Sequence, residues 1–94
     1  MNVDIEIYMK NFQGFFDKNP DQLKQLIGNL NSETFFLEIR KVIEKNISDE
    51  KQLEPTRKQI IDIIVSMNGG KPVDEKKVKT IPFMNHHMGF ICLN

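Results

Sequence analysis

Apolar positions near the amino end recur at helical spacing. Ile5, Tyr8, Met9, Phe12, Phe15 and Phe16 fall on one helical face, with Lys10, Gln13 and Asp17 on the other. Asp4 precedes them, where a carboxylate suits the free N–H groups and positive end of a starting helix. Three phenylalanines on one stripe predict a core-facing helix.

A second helix is predicted from Asn19-Pro20-Asp21-Gln22. Asn19 is a favoured cap, proline fits the first helical position because its missing N–H had no partner, and Gln22 stands at capping-box spacing. Leu23, Leu26, Ile27 and Leu30 are its apolar stripe, and Gly28 predicts its end. A third helix is expected after Asn31 or Ser32, with Leu30 and Phe35 at staple positions if Asn31 is the cap. Phe35, Phe36, Ile39, Val42, Ile43 and Ile47 line its inner face, and Glu38 to Lys41 is a same-face ion-pair spacing. A glycine-free polar connection, Ser48 to Glu54, follows.

Thr56-Arg57-Lys58-Gln59 has capping-box spacing and opens a fourth helix after Pro55. Ile60, Ile61, Ile63, Ile64, Val65 and Met67 leave only Asp62 and Ser66 polar, so contact on several sides is expected and this helix is read as central. Isoleucine also favours strands. The cap before the run and Asn68-Gly69-Gly70 after it decide for helix.

The pattern then changes. Residues 71–80 are lysine-rich, contain Pro72, and read as a solvated linker. Ile81-Pro82-Phe83-Met84 and Gly89-Phe90-Ile91-Cys92-Leu93 are two apolar stretches either side of Asn85-His86-His87-Met88, which suits a β-hairpin or an extended tail. The expected fold is therefore mainly α. It comprises a small irregular four-helix bundle over 1–70, the linker over 71–80, and a hairpin or tail over 81–94 packing on the bundle or on a partner chain.

Composition narrows the function. A chain of 94 residues has room for one core. Thirteen basic and thirteen acidic side chains cancel, which removes the general electrostatic argument for a nucleic-acid or membrane-surface binder. The balance is uneven along the chain: residues 1–54 carry net −3 and residues 55–94 net +3. At physiological salt, screening over about 8 Å makes this a weak steering effect. The skew toward isoleucine, lysine and asparagine, with no alanine, reads as AT-rich coding rather than chemistry. Acidic residues at the amino end and apolar runs far short of the roughly 18 residues of a membrane helix point to the cytoplasm and to no membrane contact.

Candidate chemistry is sparse. His86, His87 and Cys92 are the soft-metal ligand types present, but adjacent histidines in extended chain point to opposite faces and a structural zinc site needs four ligands. A Cys92–His87 nucleophile pair lacks an orienting third residue, and its apolar neighbours raise rather than lower a thiol pKa. Asp49-Glu50 and Asp74-Glu75 are loop neighbours, not two acids held across a cleft. Gly69-Gly70-Lys71 lacks the glycine spacing of a phosphate loop. No catalytic, cofactor or metal site is expected, and the chain reads as non-enzymatic.

Two binding readings remain. Phe90 to Leu93 are consecutive, so a strand there presents apolar side chains to both faces, more than one thin helical layer covers. Phe83, Met84, Phe90, Ile91 and Leu93 are accordingly the candidate interface of an adaptor or accessory protein. It would self-associate, as a dimer, or bind another protein. The alternative is a small nucleic-acid-binding factor using Arg57, Lys58 and Gln59 with the linker lysines, those side chains suiting bases and phosphates.

Overall fold

The computed structural model describes residues 5–50 and 54–79. Five helices lie in chain order: α1 (Ile5–Lys18), α2 (Pro20–Ile27), α3 (Ser32–Ser48), α4 (Arg57–Met67) and the single turn α5 (Lys76–Lys79). The mainly helical expectation holds, and the described residues contain no strand. The hairpin or tail over 81–94 lies outside the described residues, as does Asp4.

The helices pack as a circuit. α1 lies on α3, α3 on α4, α4 on α5, α5 on α2, and α2 back on α1. The first, third and fourth helices bury the stripes expected of them: Tyr8, Met9, Phe12 and Phe16; Phe35, Ile39 and Ile43; Ile60, Ile63 and Ile64. At the α1–α3 seam Phe12 meets Phe36 edge to face, with centroids 6.0 Å apart at 87°, and within α1 Phe15 meets Phe16 the same way at 5.2 Å and 80°. Edge-to-face pairs of this kind add about 1 kcal/mol each beyond the area they bury.

Two expectations are corrected. The fourth helix does not stand out as the centre: α4 takes one place in the circuit, packing chiefly on α3 on one side and α5 on another, and these two neighbours account for much of its wide apolar surface. The segment 71–80 is not wholly a solvated linker. Lys71, Lys76 and Lys77 are exposed, but Val78 is only 1 % exposed and joins the core. Two valines five residues apart among lysines, Val73 and Val78, carry too little periodicity to be read as core from sequence; the gap between α2 and α4 is what Val78 fills, with Val73 partly buried beside it.

The helix ends follow local chemistry, with one exception. Asn31 caps α3, its side chain accepting from the Thr34 N–H at 2.9 Å. Thr56 and Gln59 form the reciprocal capping box of α4. Asn19 departs from expectation: it precedes α2 without a side-chain cap bond, and its amide instead donates to the Phe15 carbonyl at 2.8 Å. The Asn19 backbone N–H, which a continuing helix would give to Phe15, donates to the Phe16 carbonyl at 3.2 Å, and the Asn19 side chain supplies the donor that the Phe15 carbonyl lacks. Gly28 ends α2 at φ 59°, a conformation open to glycine at little steric cost. Beyond α3 the glycine-free connection leaves Glu50 in the left-handed region, φ 57°.

Candidate functional site

A polar seam crosses the helical circuit where α3 meets the start of α4. Asn46, on the inner face of α3, is 2 % exposed. Its amide pairs reciprocally with that of Gln59: Asn46 Nδ2 donates to Gln59 Oε1 at 3.3 Å, and Gln59 Nε2 donates to Asn46 Oδ1 at 2.9 Å. The same Gln59 oxygen accepts from the Thr56 N–H at 2.9 Å. One glutamine thus closes the cap of α4 and ties that helix to α3.

Close by in sequence, Glu54 and Pro55 are buried, and Tyr8 from α1 is fully enclosed. Burial pushes the Tyr8 phenol above its ordinary range, and the Glu54 charge adds to the effect. The phenol therefore stays protonated at neutral pH and acts as an internal polar group.

The residues singled out for nucleic-acid contact face inward or pair with neighbours. The Arg57 guanidinium lies 3.5 Å from the Glu75 carboxylate and donates to the Glu75 carbonyl at 3.4 Å, which fastens the approach to α5 onto α4. Lys58 pairs with Asp62 at 3.1 Å on the exposed side. Gln59 has its amide committed to Asn46 and the cap. The structure brings the three to one helix end but leaves only Lys58 largely open to solvent. Phe83, Met84, Phe90, Ile91 and Leu93 lie outside the described residues, as do His86, His87 and Cys92. Among the described residues no three or more His, Cys, Asp or Glu side chains come together as a metal site. No described helix is long and apolar enough to cross a membrane.

Two grooves among the described residues stand out on the surface. One, of about 430 Å³, lies between the ends of α2 and α4 and the segment leading to α5, with Leu26, Ile64, Val73 and Val78 among its walls. The other, of about 420 Å³, runs between α1 and α3, with Met9 and Phe36 as apolar lining and Glu33 and Arg40 beside Leu37. Leu37 is 59 % exposed and Ile7, on α1, 45 %. Neither residue belongs to the apolar stripe of its helix, and that off-stripe position is the sequence signal that marks them as outward-facing. Arg40 bridges the two helices by an ion pair to Glu6 and lies 3.8 Å from Glu44.

Comparison of the chain with protein-family models, with curated proteins and with solved structures finds no significant match.

Proposed function

We propose that this chain is a small non-enzymatic interaction protein that self-associates through its C-terminal segment, with Phe83, Met84, Phe90, Ile91 and Leu93 making the contact. The observation that carries the reading is that helices drawn from residues 5–79 close a continuous core with their own side chains, Val78 included. Phe90 to Leu93 are consecutive apolar residues added to a chain whose described helices already supply a core, and that apolar excess is what a partner would cover. The commitment of Gln59 to Asn46 and of Arg57 to a surface pair with Glu75 counts against the nucleic-acid alternative, since base reading needs those groups free to turn outward.

Light scattering over a concentration series tests the proposal. The intact chain is expected to associate. The full-length variant F90D/L93D and a chain ending at Lys79 are expected to be shifted toward monomer. Equal, folded monomers in all three cases would refute it.

A further inference from the structure

We propose that the α1–α3 face forms a two-fold interface with a second copy of this chain, the two Leu37 side chains meeting at the axis beside the two grooves.

Leu37 is the most exposed large apolar side chain among the described residues, and it stands at the edge of a groove whose lining includes Met9 and Phe36. A leucine at the edge of a partly apolar groove is a self-complementary patch: on a two-fold axis it packs on its own mate and against the partner's groove wall. The charges around it are arranged for the same symmetry. Along α3, Glu33 lies one turn before Leu37 and Lys41 one turn after, all three exposed on one side of the helix. An antiparallel pairing of two α3 helices centred on Leu37 sets each Glu33 opposite the partner's Lys41, twice over, and each Thr34 opposite the partner's Arg40. No like charges oppose each other along this helix face.

The existing ion pairs leave the arrangement available. Glu33 has no ion pair with the described residues. Lys41 holds Glu38 at 2.9 Å on open surface, where a lysine ammonium still has donors to spare. Arg40 is already neutralised by Glu6 and Glu44, so it adds no loose cation at the centre. Charge complementarity therefore selects a second copy as the occupant of this groove. One leucine per copy is a small anchor, so the dimer is weak, with a Kd on the order of tens of micromolar.

Sedimentation equilibrium of the full-length chain is the test, with circular dichroism confirming that each variant is folded. L37D is expected to weaken association by at least about 100-fold. E33K and K41E should each weaken it by roughly 10-fold, because each sets like charges face to face at two points. The double variant E33K/K41E re-forms both pairs with the signs exchanged and should return to within about 3-fold of the parent. A parent chain that stays monomeric at millimolar concentration overturns the inference. So does a dimer indifferent to L37D, or a double variant no better than the singles. Association lost in F90D/L93D but unchanged in L37D overturns this contact and leaves the C-terminal reading standing; the opposite pattern does the reverse.

Discussion

Replacing Gln59 by alanine removes three hydrogen bonds at once, and the structure sets their size. Two join the amide to Asn46, at 2.9 and 3.3 Å, and one closes the cap on the Thr56 N–H at 2.9 Å. Each internal bond contributes about 1 kcal/mol net, and the capping-box bond contributes in the same range. Asn46 is almost fully enclosed, so water does not readily replace what it loses, and the total is expected near 3 kcal/mol. With a urea slope of about 1.5 kcal/mol/M for a small domain, the unfolding midpoint should fall by about 2 M. Gln59→Glu keeps the acceptor for the cap but has no donor for Asn46, and should lose only about 1 kcal/mol. A double-mutant cycle with Asn46→Ala should show a coupling of about 1–2 kcal/mol between the two amides. A Gln59→Ala loss under about 0.5 kcal/mol, or a coupling near zero, would mean that the amide pair does not join α3 to α4.

Tyr8 is the single tyrosine and the chain has no tryptophan, so phenolate absorbance reports it alone. Its folded pKa is raised above the ordinary value of 10.0. The stability it contributes is full below that pH and is lost above it, as the unfolded phenol ionises first. Tyr8→Phe should flatten this alkaline loss, and a Tyr8 phenol titrating at its ordinary value in the folded chain would contradict the assignment. Gly14 lies in mid α1 with nothing near the position a Cβ would take. Gly14→Ala should therefore stabilise by about 0.5–1 kcal/mol and raise Tm, whereas Gly28→Ala, at φ 59°, should lower it. Val78→Ala should cost about 1–3 kcal/mol in urea melts, while Lys76→Ala stays within about 0.5 kcal/mol; equal effects would deny α5 its place in the core.

Much of the architecture is legible in local pattern. Each of the first four helices announces itself by apolar residues at 3.6 spacing and by a start or stop signal such as Asn31, the Thr56–Gln59 box or Gly28, because these act within one or two turns of chain. The outward position of Leu37 is legible in the same way, as a leucine off its stripe. What sequence alone leaves undecided is everything that depends on which helix meets which. Gln59 has the same identity whether it reads a base or pairs with Asn46, and only the approach of α3 to α4 settles its use. Asn19 looks like a cap until its backbone N–H turns to the Phe16 carbonyl at the end of α1 and leaves the Phe15 carbonyl in need of a donor. Val78 has no periodic companions, so its burial follows from the gap that α2 and α4 leave rather than from its neighbours in the chain. Periodicity and capping are local physics and are written in consecutive residues; neighbour choice is set by the shapes of faces far apart in sequence, and only the tertiary packing decides it.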